Sequence, residues 1–85
     1  MAEQWLIPKF TRRQVVRISL HDQRGKAKNK LARKALPYFA QTAEAMSYTL
    51  GEMSGKVVLV YKVRVDDGTV LQLTEDCLMT IKERI

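Results

Sequence analysis

Gly55 to Ile85 reads GKVVLVYKVRVDDGTVLQLTEDCLMTIKERI, and the residue order in this stretch specifies a small antiparallel sheet. Two runs rich in Val, Leu and Tyr flank Asp66-Asp67-Gly68, the residue types that a tight reversal between antiparallel strands needs. A two-residue loop at Asp67-Gly68 would set Val65 opposite Val70, but it would also set Val63 opposite Gln72 and Arg64 opposite Leu71, mixing polar and apolar groups on both faces. A three-residue loop, Asp66-Asp67-Gly68, with Gly68 left-handed and forming a bulge, pairs Val63 with Leu71 and Tyr61 with Leu73. Leu59, Tyr61, Val63, Val65, Leu71 and Leu73 then share one face. Lys62, Arg64, Val70 and Gln72 share the other, as expected of a sheet buried on one side. Thr74-Glu75-Asp76 reads as a short turn before a last strand around Leu78.

Upstream of this sheet, Gln4 to Phe10 is a short apolar segment containing Trp5, Leu6, Ile7 and Phe10, in which Pro8 disfavours a central strand. Arg13 to Leu20 alternates, with Val16, Ile18 and Leu20 on one side and Val15, Arg17 and Ser19 on the other, and predicts a first strand. His21 to Asn29 is polar, contains Gly25 and reads as an exposed loop. Ala32, Leu36, Phe39, Ala43, Met46 and Leu50 then recur at spacings of four and three, the stripe of an amphipathic helix. The spacing predicts a helix over Tyr38 to Leu50. Lys28 to Leu36 would either extend it through a kink at Pro37 or form a separate basic turn before it. Gly51 and Gly55 would stop the helix, and its stripe would pack on the sheet at Val16, Ile18, Leu59 and Val63.

Eighty-five residues are enough for one domain, 1–85, with a modest core and a large wet surface. No apolar run approaches the length of a membrane span, and MAEQWLIPKF lacks the basic start and long apolar stretch of a secretory signal, so the expectation is a cytoplasmic protein. Cys77 is the single cysteine, which rules out an internal disulfide and reads as a small buried hydrophobe in a reducing compartment.

Charge is distributed unevenly. The chain carries +6, but Lys9, Arg12, Arg13, Arg17, Arg24, Lys26, Lys28, Lys30, Arg33 and Lys34 lie in one window whose only acid is Asp22, so that window alone carries +9. Such asymmetry makes a directed field able to steer an anionic partner. The competing reading is a solvated loop whose lysines maintain solubility.

The inventory argues against catalysis. His21 and Cys77 are far apart in sequence, and a nucleophile needs a base within hydrogen-bond reach. Ser19, His21 and Asp22 carry the residue types of a triad, but near neighbours at one strand end point in different directions. His21, Asp22 and Cys77 are too few and scattered for a zinc site. Gly51 and Gly55 lack the Lys-Ser or Lys-Thr pair of a phosphate loop. No enzyme activity, cofactor, metal or small-molecule substrate is expected.

The order IPKFTRRQVVRI, then GEMSGKVVLVYKVRVDDGTVLQLTEDCLMTI, resembles the SH3-like small barrels, including Tudor-like and KOW-like modules. The matching features are Gly55-Lys56-Val57, Asp67-Gly68, and the turn between Leu73 and Leu78. The chain departs from that pattern at His21 to Leu50, where a basic and helical insertion replaces the usual first loop, and at Thr11-Arg12-Arg13, which stands where a Gly-Asp turn often precedes the first strand. The resemblance implies an α+β fold, a small SH3-like antiparallel barrel or curled sheet with a helical insertion between the first and second strands at about 21–50. It also implies a binding role, since such barrels serve mostly as nucleic-acid-associated modules or docking subunits. Tudor-type recognition would need an aromatic cage, and with Tyr61 expected in the core no cluster is evident.

Two readings follow. In the first, a non-catalytic nucleic-acid-binding module contacts phosphates through Arg12, Arg13 and Arg17 on the first strand and Arg24, Lys26, Lys28, Lys30, Arg33 and Lys34 on the loop and the start of the helix, with Tyr38 and Trp5 as candidates for stacking on bases. In the second, the same basic surface and the apolar WLIPKF segment dock an accessory subunit on an acidic protein. Attachment to an anionic membrane would need an apolar face beside the basic one, and the helix stripe, the only candidate, is required by the core.

Overall fold

The computed structural model describes residues 7–81. Five antiparallel strands form one sheet: β1 (Val15–Ile18), β2 (Thr42–Met53), β3 (Lys56–Val65), β4 (Val70–Thr74) and β5 (Leu78–Thr80). Their order is β4-β3-β2-β1-β5. Each strand pairs with its predecessor except β5, which returns to β1 through Ile18↔Leu78, Arg17↔Met79 and Val16↔Thr80. β4 and β5 remain the two edges, so the sheet is curled rather than closed into a barrel. Between β1 and β2 lie a helix, α1 (Lys30–Lys34), and a 3-10 turn, Leu36–Tyr38; a second 3-10 turn, Glu75–Cys77, precedes β5.

The β3–β4 hairpin has the register expected from the residue pattern, with Tyr61↔Leu73, Val63↔Leu71 and Arg64↔Val70. The Val65 N–H donates to the Thr69 carbonyl (3.0 Å), the Gly68 N–H to the Val65 carbonyl (2.9 Å), and Gly68 sits at φ +88°. A bulged three-residue loop needs a left-handed residue at its last position, which glycine adopts without a Cβ clash. Leu59, Tyr61, Val63, Val65 and Leu73 are buried, while Lys62, Arg64, Val70 and Gln72 are exposed. Val16, Ile18 and Leu20 join them in the core, as the alternation of the first strand requires.

The helix expected over Tyr38–Leu50 is not formed. That segment is β2, paired with β3 from Ala43↔Val65 to Met53↔Lys56 and closed by a two-residue turn. The turn residues, Ser54 (φ +51°) and Gly55 (φ +77°), both have the positive φ of a type I′ reversal, so Gly55 turns a hairpin rather than stopping a helix. The reason the stripe misled is a β-bulge between Ala45 and Ser47. Before it, Ala43 and Ala45 face the core; after it, Tyr48 and Leu50 lie opposite Tyr61 and Leu59. The extra residue switches inward positions from odd to even, which hides the period of two and leaves spacings of three and four. Of the six stripe residues only Ala32 and Ala43 are buried; Leu36, Phe39 and Leu50 are exposed.

Among the described residues α-helix remains only in α1, and Pro37 lies in the first turn of a separate 3-10 element, Leu36–Tyr38, instead of kinking a longer helix. Asn29 caps α1, its Oδ1 accepting the Ala32 N–H at 2.9 Å. The Asn29 amide donates to Thr74 Oγ1 (2.8 Å), and Thr74 Oγ1 bonds the Asp76 carboxylate and lies 3.4 Å from Cys77 Sγ. This network fastens the helix to the turn before β5.

Candidate functional site

The basic residues occupy separate ends of β1. Arg12 and Arg13 lie in a turn before the strand, closed by Gln14 N–H donating to the Thr11 carbonyl (3.1 Å) and docked on β2 by Arg13 N–H donating to the Ala45 carbonyl (2.7 Å). Arg13 itself takes φ +69°, in the left-handed region that glycine favours. Beside these two arginines a shallow groove collects Glu44, Met46, Ser47 and Arg64. Arg64 is held by Glu44 at 3.0 Å, the only ion pair among the described residues. Arg64 was not among the expected contacts; the hairpin register, which puts it on the outer face, was the available signal.

Arg17 stands on the outer face of β1 between Thr42 and Met79. At about 3.3 Å per residue, the eight residues from Arg13 to His21 carry the chain on the order of 20 Å or more, so Arg12 and Arg13 do not merge with the loop that follows the strand.

At the far end, the loop after Leu20 is a compact reversal. His21 bridges Ala27, the Asp22 N–H donates to the Lys26 carbonyl (2.7 Å), and Asp22 Oδ1 accepts the N–H groups of Arg24 (2.8 Å) and Lys26 (3.0 Å). Asp22 therefore shapes the loop that projects Arg24 and Lys26. α1 follows directly with Lys30, Arg33 and Lys34 exposed. Arg33 and Lys34 fall in its last turn, where cations also favour the helix dipole.

Lys28 differs from its neighbours. It is half-buried, and its Nζ donates to the Asp76 carbonyl (2.6 Å) and to Ser19 Oγ (3.4 Å). It braces the loop against the turn before β5.

Aromatic groups are arranged differently from the sequence expectation. Tyr38 is half-buried against the core, with its hydroxyl 3.4 Å from Thr69 Oγ1, and Trp5 lies outside the described residues. Phe39, expected in the core, is 61% exposed and meets the His21 ring edge to face at 6.3 Å. That pair sits at the base of the basic loop. Local spacing gave no signal of it, since Phe39 falls inside the helix expected over Tyr38 to Leu50. Phe10, Tyr48 and Tyr61 form a second group, with Tyr61 centred 5.6 Å from Phe10 and 5.9 Å from Tyr48. Phe10 and Tyr61 are buried, so these rings pack together and leave no open cage.

Comparison of the chain with protein-family models, with curated proteins and with solved structures gives no match.

The groups of possible chemical interest are engaged in structure. Cys77 is buried, and desolvation pushes its thiol above its ordinary value, more than the Thr74 hydrogen bond lowers it. Tyr61 is raised first by burial and then by donating to Glu75 Oε2 at 2.8 Å, while its oxygen accepts the N–H groups of Lys9 (2.9 Å) and Phe10 (3.3 Å). No group of three potential metal ligands occurs among the described residues, and none of their helices is long and apolar enough to cross a membrane.

Proposed function

We propose that this protein is a non-catalytic nucleic-acid-binding module of SH3-like type, and that its binding surface is the loop and helix between β1 and β2. The observation that carries the reading is the exposed Phe39, paired with His21, on the same β1–β2 connection as five exposed cations without acidic partners among the described residues: Arg24, Lys26, Lys30, Arg33 and Lys34. An aromatic face next to a basic track is the arrangement that single strands use, bases stacking while phosphates meet cations. The SH3-like assignment draws on the five-strand order, the 3-10 turn before β5 and the return of β5 to β1. Arg12, Arg13 and Arg17 form an auxiliary patch along β1 that lengthens the electrostatic footprint. Lys28 is left out of the contact set.

The test is fluorescence anisotropy with short single-stranded and duplex oligonucleotides over a salt series. Affinity should fall steeply with salt, each contacted cation adding roughly 0.7–0.9 to the logarithmic slope. Replacing Arg24, Lys26, Lys30, Arg33 and Lys34 by Gln should weaken binding alike across sequences. Phe39→Ala should weaken single-strand binding by about 1–3 kcal/mol and leave duplex binding little changed. Absence of binding at low salt would eliminate the reading. An acidic protein captured by the wild type and lost by the five-Gln variant would establish the docking role in its place.

A further inference from the structure

The β2–β3 hairpin is longer than the sheet it belongs to. β1 covers β2 only from Thr42 to Glu44, with Gln14 and Arg13 adding bonds to Ala45. From Ser47 to Met53, β2 has β3 on one side and no backbone partner on the other among the described residues. This arm contributes to a long molecular dimension of 43 Å against 29 and 25 Å.

The direction of the free groups follows from the register. In a hairpin closed by a two-residue turn, the pair next to the turn exchanges both hydrogen bonds, and alternate pairs do so thereafter. Met53↔Lys56, Gly51↔Val58 and Thr49↔Val60 are therefore bonded across the hairpin. Tyr48, Leu50 and Glu52 point their N–H and C=O groups away from β3, along the open edge. Natural sheets blunt such an edge with charged side chains, proline, bulges or a covering element; beyond the bulge at Ala45–Ser47, the stretch Ser47-Tyr48-Thr49-Leu50-Gly51-Glu52-Met53 has the single charge of Glu52 and neither lysine nor proline. Its side chains on the core-facing side are Tyr48, Leu50 and Glu52, and the two apolar ones are uncovered: Tyr48 is 53% exposed and Leu50 63%.

We infer that this edge is a self-association site, at which β2 of a second copy adds antiparallel to β2 about a two-fold axis at Leu50. Three features favour a second copy over a foreign strand. The outward-bonding positions are symmetric about Leu50, so Leu50 meets its own counterpart and Tyr48 meets Glu52 of the other copy, with every outward N–H finding a carbonyl. The arm from Ser47 to Val60 carries one acid, Glu52, and one base, Lys56, so it is neutral in a chain of +6 and adds no net repulsion when doubled. Arg12 lines the same cleft as Tyr48, and Arg13 flanks Ser47. Glu52 of the second copy, opposite Tyr48, therefore arrives beside both arginines, and symmetry repeats the contact.

The β3 edge of the arm is a poorer template. β4 already pairs with β3 from Val60 to Arg64, and the remaining stretch borders a groove lined by Lys28, Glu75 and Asp76. The two joined hairpins would make one continuous sheet carrying Tyr48, Leu50 and Val57 of both copies on a single face.

Sedimentation velocity of the full chain from about 5 to 500 µM, a range that reports micromolar association, should show a concentration-dependent dimer. Leu50→Lys places two like charges face to face at the axis and should raise the dissociation constant at least about tenfold. Glu52→Arg should weaken the dimer too, and adding Arg12→Glu and Arg13→Glu to it should restore association. Amide exchange supplies a readout that needs no variant: at high concentration the Tyr48, Leu50 and Glu52 N–H groups should gain protection while Thr49 and Gly51 change little. A monomer throughout the range, a dimer indifferent to Leu50→Lys, or exchange without this alternation would overturn the proposal. An extended acidic peptide bound at the edge by a chain that stays monomeric would overturn it as well, assigning the edge to a foreign strand.

Discussion

Gly68 shows how a single residue sets the geometry of a hairpin. Its φ of +88° is closed to most side chains, and nothing lies near enough to obstruct an added Cβ, so the cost of substitution there is conformational rather than steric crowding by neighbours. Asp67 assists: the Thr69 side chain first, and then the Thr69 N–H that donates to Asp67 Oδ1 at 2.8 Å, hold its carboxyl below the usual value. Gly68→Val should destabilise the protein by about 1–2 kcal/mol, read as a lowered melting temperature. An unchanged transition would show that the loop adopts another turn without loss. The same scale explains Lys28. Sequence position places it within a run of cations, but two of its three ammonium donors are engaged by the Asp76 carbonyl and Ser19 Oγ.

Among the elements, β2 decides most of the architecture because it joins β1 to β3. Its inner residues beside β1 are the small Ala43 and Ala45, and only beyond the bulge do large side chains return. The apolar weight of the core instead rests on β1, β3 and β4. Leu73→Ala should therefore cost about 2–5 kcal/mol, since Leu73 is fully buried. Phe39→Ala should stay within about 0.5 kcal/mol of wild type, as exposed positions do. Paired chemical denaturation curves would distinguish them. A large loss for Phe39→Ala would return that side chain to the core and remove the stacking face from the proposed binding surface.

Across the whole molecule, two polar clasps tie distant segments to the sheet. Tyr61 and Glu75 hold the backbone at Lys9 and Phe10, with Glu75 Oε2 also accepting the Lys9 N–H at 3.0 Å. Asn29, Thr74 and Cys77 join α1 to the turn before β5. Both Tyr61 and Cys77 have values raised in the fold from ordinary ones of 10.0 and 9.0. A proton held more tightly in the folded state stabilises it, and that contribution is complete below the unfolded value and lost as pH rises past it. Stability should therefore be level through neutral pH and decline from about pH 9 upward. Thermal melts between pH 7 and pH 11, compared with those of Cys77→Ala and Tyr61→Phe, would test this; a decline untouched by both substitutions would assign it to other groups.

Much of the sheet was legible from local pattern. Val16, Ile18 and Leu20, and the hairpin from Leu59 to Leu73, alternate without interruption, and only one register of Asp66-Asp67-Gly68 keeps their faces apolar and polar. Periodicity of this kind is a property of neighbours in the chain, so burial on one face suffices to write it into the residue order. Thr42 to Met53 carries no such record, because the bulge reverses its inward parity and much of the strand extends beyond the core. Its strand state comes from hydrogen bonds to β3 and β1, which local spacing does not encode. The same holds for the site: composition concentrated the cations, whereas the length of β1 divides them, Asp76 withdraws Lys28, and the break at Pro37 exposes Phe39 beside His21. Those outcomes depend on which segments meet in space, and only tertiary packing settles that.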